Sequence, residues 1–146
     1  MNTQSHTQST SRSLPIALLR ARETVMAPIR DMLQGIQLTE QKWRILRVLD
    51  ELGEVEQSAI ANEACLLLPS LTRILRTMEA EGQITRRQDS QDKRRTMVKI
   101  TDDGRRILAD NLATSLAITS NIEAQMGREK LDHLLDLLEE LQAVKV

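Results

Sequence analysis

The fold is decided by Pro69-Ser-Leu-Thr-Arg-Ile-Leu-Arg-Thr-Met-Glu-Ala-Glu81, which has the pattern of a helix with two unlike faces. The apolar residues recur at the i, i+3, i+4, i+7 spacing of a packed helix face, and they are Leu71, Ile74, Leu75 and Met78. The opposite face is cationic and hydroxyl-bearing, with Pro69, Thr72, Arg73, Arg76 and Thr77, and with Ser70 at its margin. Gly82 follows, and glycine is the residue that most often ends a helix.

The segments on either side of this helix predict a compact unit. A short helical pattern spans about residues 56–65 and reaches the longer helix through three leucines. After Gly82, two short strands at 84–88 and 96–100 flank a seven-residue tip that holds three cations. The pattern predicts a helix-turn-helix over about 56–81, followed by a basic hairpin, or wing, over 83–101.

This unit has the shape and charge of a DNA-binding surface. An α-helix fits the major groove of B-DNA, which is about 12 Å wide, and arginines on its outer face reach guanine edges or phosphates. The hairpin would place Arg94 or Arg95 in the minor groove, whose negative potential attracts arginine. The alternative is a solvated cationic surface with no ligand. The candidate DNA-binding residues are Pro69, Ser70, Thr72, Arg73, Arg76, Thr77, Arg87, Lys93, Arg94 and Arg95.

Long apolar helices flank the unit and predict a dimer. A helix over 14–34 contains Pro28, which we expect to kink or split it, and another runs from the N-cap Thr39 to Leu52. Downstream, Thr101 caps a helix that continues to about Met126, and a last helix follows the break at Gly127. The predicted architecture is mainly α with a small β-hairpin wing. The predicted domain covers 14–144, with a DNA-binding lobe at 39–101 and with dimerisation helices at 14–35 and 105–146. A disordered tail is predicted before it, at 1–13.

Composition excludes several classes of protein. The net charge is −1, but residues 68–99 hold eight Lys/Arg against four acids, which concentrates positive charge on the helix and hairpin. Aromatic residues make up 1% of the chain, so the stacking platforms of single-strand binding are missing. One cysteine forms no internal disulfide, and no apolar run approaches the ~20 residues of a membrane span. We therefore expect a cytoplasmic protein with no membrane contact.

Nothing in the sequence indicates an enzyme, a metal site or a cofactor. His6 lies in the tail, and His133 lies on a leucine-rich helix without a third ligand, which favours a solvated histidine. Glycine-rich phosphate loops and nucleophile elbows are missing from the sequence. Cys65 sits between Ala64 and three leucines, so we expect a buried inert thiol in preference to a redox sensor.

Three motifs resemble the MarR family of winged-helix regulators: Thr39-Glu-Gln-Lys-Trp-Arg-Ile-Leu, Pro69-Ser-Leu-Thr-Arg-Ile-Leu with Met78-Glu-x-Glu-Gly82, and Asp92-Lys-Arg-Arg with Val98-Lys-Ile-Thr-x-x-Gly104. Leu18-Leu-Arg-Ala-Arg-Glu, the Trp43-Arg44 pair and Ala64-Cys65 further resemble regulators of homoprotocatechuate degradation. The resemblance implies a homodimer that represses by binding a near-palindromic operator. It also implies that Arg94 enters the minor groove and that Asp92 pairs with an arginine to hold the wing.

The resemblance also implies an effector site for a small aromatic carboxylate. The candidate ligand-binding residues are Arg20, Arg22, Met26, Trp43 and Arg44, with an arginine pairing the carboxylate and the ring packing on Trp43. The alternative is that these arginines form interhelical salt bridges and that Trp43 belongs to the core. The predicted function is a ligand-released repressor of an aromatic-acid catabolic operon, and the alternative is an all-α dimeric scaffold for protein interactions.

Overall fold

The computed structural model describes residues 9–146, and the chain divides into two compact units after Glu40. In the first unit a short 3-10 helix, Thr10–Arg12, precedes helix α1, Leu14–Gly35. Pro28 lies inside α1, so the predicted split of this helix does not occur. The predicted disordered tail falls largely on residues 1–8, which include His6 and lie outside the described residues.

Helices also dominate the rest of the chain, as predicted. Helix α2 begins at Glu40, directly after Thr39, and ends before Gly53, whose φ of +75° suits glycine at a helix end. The helices are α2 Glu40–Leu52, α3 Gln57–Glu63, α4 Leu68–Ala80, α5 Asp102–Asp110, α6 Leu112–Met126 and α7 Arg128–Gln142. Among residues 9–146, none of the helices is long and apolar enough to cross a membrane.

The wing is a three-stranded antiparallel sheet. Its strands are β1 Val55–Glu56, β2 Ile84–Gln88 and β3 Thr96–Ile100, in the order β1-β3-β2. The hairpin of β2 and β3 has the predicted bounds, with Ile84 opposite Ile100 and Gln88 opposite Thr96. Strand β1 was not predicted. Glu56, placed by the sequence pattern at the start of a helix, instead has extended backbone and pairs with Met97.

A continuous core joins the helix-turn-helix to the wing. Leu46 of α2, Ile60 of α3 and Leu75 of α4 are fully buried, and Val98 of β3 is equally inaccessible. The predicted packed face of α4 is confirmed at Leu71, Leu75 and Met78, which are each 0% exposed. The orientation of the exposed face of α4 is therefore fixed by the core beneath it.

The downstream helices begin and end at polar or glycine positions. Thr101 Oγ1 accepts a hydrogen bond from the Gly104 N–H at 3.1 Å and donates to Gly82 O at 2.6 Å, which confirms the predicted cap of α5. The prediction of one helix from here to Met126 is wrong, because the chain breaks at Asn111 between α5 and α6. Gly127, with a φ of +87°, separates α6 from α7 as predicted.

Helices α6 and α7 contain no buried residue in the single chain. Leu112, Leu116 and Leu135 are 55%, 57% and 50% exposed. Exposed leucines at this density are typical of an interface between subunits.

Candidate nucleic-acid interface and effector cavity

The outer face of α4 carries two free cations. Arg73 and Arg76 are exposed, and neither guanidinium group has a hydrogen-bond or ion-pair partner within residues 9–146. The hydroxyls beside them already bond to the helix: Thr72 Oγ1 donates to Leu68 O at 3.0 Å, and Thr77 Oγ1 donates to Arg73 O at 3.4 Å. Each hydroxyl oxygen remains an acceptor, so the charged donors left free on this face are the two guanidinium groups.

The turn before α4 sets where the helix starts. Cys65 has a φ of +55°, and the Leu66 N–H donates to Ala61 O at 2.9 Å, which closes the end of α3 in a Schellman-type turn. Pro69 occupies the second position of α4, where its missing N–H costs nothing. Gln57 Nε2 donates to Thr72 Oγ1 and links α3 to α4.

The environment of Cys65 differs from the prediction. The thiol is exposed, so the prediction of a buried thiol is wrong. Ala64 is the buried residue at this point, with 2% exposure, and the left-handed conformation of Cys65 turns the chain away from the core.

The wing tip is closed by its own backbone and by Asp92. The Asp89 N–H donates to Arg95 O at 2.9 Å, and the Arg95 N–H donates to Asp92 O at 3.0 Å. Asp92 Oδ1 accepts from the backbone N–H and from Nε of Arg94, each at 3.1 Å. These bonds lower the pKa of the Asp92 carboxyl, which keeps it ionised. The side chain of Arg94 nevertheless remains 90% exposed.

Two other predicted DNA-binding arginines are engaged at the wing base. Arg87 Nη2 lies 2.6 Å from Glu54 Oε1, just before β1, and Arg95 donates to Glu56 Oε2 from Nη2 at 2.8 Å. The hydrogen bond from Arg87 lowers the pKa of the Glu54 carboxyl. Both guanidinium groups are about half exposed. The wing tip thus presents Lys93, and Arg94 in its local pair with Asp92, to solvent, while Arg87 and Arg95 tie β2 and β3 to the segment around β1.

A cavity of about 410 Å³ lies between α2 and the helices α5 and α6. Its lining combines one aromatic ring, one cationic and one anionic side chain, two hydroxyls and three leucines. The lining residues are Trp43, Arg47, Asp50, Leu108, Leu112, Ser115, Leu116 and Thr119. The side chains of Arg47 and Asp50 have no hydrogen-bond or ion-pair partner within residues 9–146. An unpaired guanidinium beside a ring and apolar walls has the chemistry to hold an aromatic carboxylate.

The predicted ligand residues are distributed over two helices. Trp43 lines the cavity, but Arg44 does not, and Arg44 Nε is buried without a hydrogen-bond partner. Sequence reasoning missed Arg47, although it lies one turn after Trp43 and therefore on the same helix face. On α1, Arg22 Nη2 lies 2.8 Å from Glu40 Oε2, which is the interhelical salt bridge weighed as the alternative, while Arg20 is exposed and Met26 is half-buried.

Residues 38–96 match the MarR family. The HTH-type transcriptional regulator FarR of Neisseria gonorrhoeae is 39% identical over 139 residues, covering 95% of each chain. The homoprotocatechuate degradative operon repressor of Escherichia coli is 39% identical over 132 residues, which cover 90% of this chain and 89% of the repressor. The crystal structure of NadR in complex with 4-hydroxyphenylacetate has a TM-score of 0.81 and 38% identity, and covers 99% of this chain and 100% of NadR.

These relatives confirm the predicted fold and the predicted class of function. They are named as transcriptional regulators, which agrees with the prediction of a DNA-binding regulator that is not an enzyme. They give no support to the alternative of a scaffold for protein interactions. Within residues 9–146, no group of three His, Cys, Asp or Glu residues is arranged to hold a metal ion.

Proposed function

The chain belongs to the MarR family of DNA-binding transcriptional regulators, and we propose that it represses an aromatic-acid catabolic operon until a small aromatic carboxylate releases it. It binds operator DNA as a homodimer. The pathway is proposed to be of the homoprotocatechuate type, because a repressor of that operon is 39% identical to this chain over 132 residues. Its site of action is proposed to be the cytoplasm, where bacterial operators are found.

The observation that carries the proposal is the pattern of exposed cations. The side chains of Arg73 and Arg76 on α4 and of Lys93 at the wing tip have no partner within residues 9–146, and Arg94 is 90% exposed although it pairs with Asp92. Together they point to a polyanion as the ligand of this surface. The helix face enters the major groove, and Arg94 enters the neighbouring minor groove. Pro69 and Ser70 bring the start of α4 close to the DNA backbone, while the hydroxyl oxygens of Thr72 and Thr77 are available as acceptors beside them.

We assign a different role to Arg87 and Arg95. Their carboxylate partners, Glu54 and Glu56, belong to the segment at β1, so the two arginines brace the hairpin against the helix-turn-helix. Asp92 braces the tip through Arg94. This bracing sets the distance between α4 and the wing tip, and both must fit adjacent grooves of one duplex.

The effector is proposed to bind in the cavity beside Trp43. Arg47 pairs the carboxylate, and the ring packs against Trp43 and the leucines of α5 and α6. NadR, 38% identical, is described in complex with 4-hydroxyphenylacetate, which has this chemistry. The cavity touches the helices proposed to form the dimer interface, so an occupant can alter the spacing of the two α4 helices. Its effect cannot exceed its difference in affinity between the two spacings.

Arg47→Ala is expected to uncouple the effector from DNA. The concentration of 4-hydroxyphenylacetate that releases half of the operator complex should rise at least about tenfold, because a charge-assisted hydrogen bond contributes about 1.5–3 kcal/mol. Operator affinity without effector should stay within about twofold of wild type, as this cavity is not part of the proposed DNA surface. The measurement is fluorescence anisotropy of labelled operator during titration with 4-hydroxyphenylacetate and 3,4-dihydroxyphenylacetate.

Arg44→Ala is the matched control, because it removes the neighbouring arginine that does not line the cavity. Quenching of Trp43, the one tryptophan of the chain, reports binding independently of DNA. Loss of release in Arg44→Ala with normal release in Arg47→Ala would place the effector outside this cavity. Absence of both quenching and release would exclude these acids as effectors.

A further inference from the structure

Two leucines at the start of α4 are exposed for no structural reason. Leu67 is 77% exposed and Leu68 is 48% exposed, whereas Leu71 and Leu75 in the same helix are 0% exposed. Leu66 has a role in the fold, because its N–H closes the turn after α3 and its side chain is half-buried. A leucine held in water forgoes the stabilisation that burial of its side chain would provide.

The backbone fixes the direction in which the side chain of Leu67 leaves the start of α4. Leu67 is the N-cap residue of α4, with extended backbone, and its carbonyl accepts from the Leu71 N–H at 2.9 Å. The preceding turn is fixed by the Leu66 to Ala61 hydrogen bond and by the positive φ of Cys65. The exposed apolar group therefore projects from a hydrogen-bonded helix start.

The surface around Leu67 is mostly apolar and concave. An open groove of about 490 Å³ runs between α3 and the start of α4, without a charged residue in its lining: Ser58, Ala61, Asn62, Cys65, Leu66, Leu67 and Leu68. Such a surface offers no cation to a phosphate. Immediately beside it, Pro69 and Ser70 continue the proposed DNA surface towards Arg73.

A recognition helix contacts base edges mainly with its N-terminal residues. The one apolar group that the major groove presents is the 5-methyl group of thymine, and apolar side chains are its partners. We propose that Leu67 packs against a thymine methyl in each operator half-site and so contributes to sequence preference. This inference rests on the proposed placement of α4 in the major groove, and continuity with that surface favours DNA over a protein as the occupant.

The test removes the methyl group and the leucine separately and together. An operator selected by the wild-type protein from random duplexes is remade with each thymine replaced in turn by deoxyuridine, which lacks the methyl group but pairs in the same way. At one thymine of each half-site, the substitution should weaken wild-type binding about fourfold, the size expected for burial of one methyl group. Leu67→Ala removes the contact from both protomers, so it should weaken binding to the thymine operator by about the square of that factor, on the order of fifteenfold.

Combining Leu67→Ala with the deoxyuridine substitution tests whether Leu67 contacts that thymine methyl group. With Leu67→Ala, the deoxyuridine substitution at that position should have no further effect, whereas independent changes would multiply. Leu52→Ala, at the 46%-exposed end of α2, is the matched control and should keep the full thymine preference. Multiplying effects, or an affinity indifferent to every thymine methyl, would overturn the proposal. Unchanged operator binding by Leu67→Ala would do the same and direct attention to a protein partner on this groove.

Failure of this inference differs from failure of the proposed function. If no duplex is selected from the random pool, operator binding itself is wrong. If an operator is selected and binds with a steep salt dependence, but Leu67 and the methyl groups act independently, then only the assignment of Leu67 is wrong.

Discussion

Arg94→Ala is expected to lower the affinity of the dimer for its operator on the order of a hundredfold, while the fold and the dimer remain intact. An arginine that contacts bases or a narrow groove contributes about 1–3 kcal/mol, and a homodimer loses two of them. The side chain is 90% exposed, so no core contact is lost with it. Asp92 loses a charged partner but keeps its hydrogen bond to the backbone N–H of residue 94. Anisotropy with labelled operator measures the affinity.

Arg105→Ala is the matched control for Arg94. Arg105 is an exposed arginine paired with Asp102 on α5, outside the proposed DNA surface, so its removal should change affinity less than about threefold. Sedimentation of both variants checks the dimer. Equal affinities for Arg94→Ala and wild type would remove the wing tip from the mechanism.

Gly104→Ala is expected to destabilise the protein by at least about 2 kcal/mol, although alanine favours helices over glycine by nearly 1 kcal/mol. A Cβ at this position would lie 2.4 Å from the carbonyl oxygen of Gln83 and 2.7 Å from Cγ1 of Ile100. The oxygen is backbone and cannot rotate away, and it accepts from the Thr101 N–H at 3.1 Å. The added methyl therefore forces apart α5 and the base of the wing.

Gly35→Ala is the matched control, because a Cβ at Gly35 meets nothing within 4 Å. That substitution, in the last turn of α1, should be neutral or slightly stabilising. Urea unfolding at one fixed protein concentration is the measurement, since the stability of a dimer depends on concentration. Equal urea midpoints for wild type and Gly104→Ala would show that the space between Gly104 and the Gln83 carbonyl accommodates a methyl group, which contradicts the close contact.

The motif around Gly104 illustrates how much local sequence predicts. Thr101 caps α5, and the hairpin strands have the expected ends, because capping and alternation depend on residues near in sequence. The same holds for the two faces of α4. The reason for a glycine at 104 is not local, since Gln83 and Leu46, which approach it, are 21 and 58 positions away.

Strand β1 and the ion pairs of the wing base also depend on residues that are distant in sequence. Two residues, Val55 and Glu56, are too few to show alternation, and they are extended because β3 lies alongside them. Arg87 and Arg95 find their acids 33 and 39 residues away, so charge counting along the chain assigned both to DNA. Pairing of this kind follows from the tertiary fold and not from the charge pattern.

The cavity beside Trp43 shows the same limit. Sequence reasoning selected the adjacent pair Trp43-Arg44, but a helix places residues four apart on one face, so Arg47 accompanies Trp43 at the cavity. The hydroxyls of Ser115 and Thr119 come from α6, far along the chain. A helical wheel of α2 identifies Arg47 as a cavity residue once Trp43 is chosen. The cavity residues of α6 can be identified only from the tertiary structure.

The salt dependence of operator affinity tests the central claim most directly. If α4 and the wing tip of both protomers bind phosphates, log affinity should fall linearly with log salt concentration. The slope should be about −5 or steeper, as expected for release of counterions from at least six phosphates. The operator should also be preferred over random duplex at every salt concentration. A flat salt dependence, or equal affinity for operator and random duplex, would contradict the account.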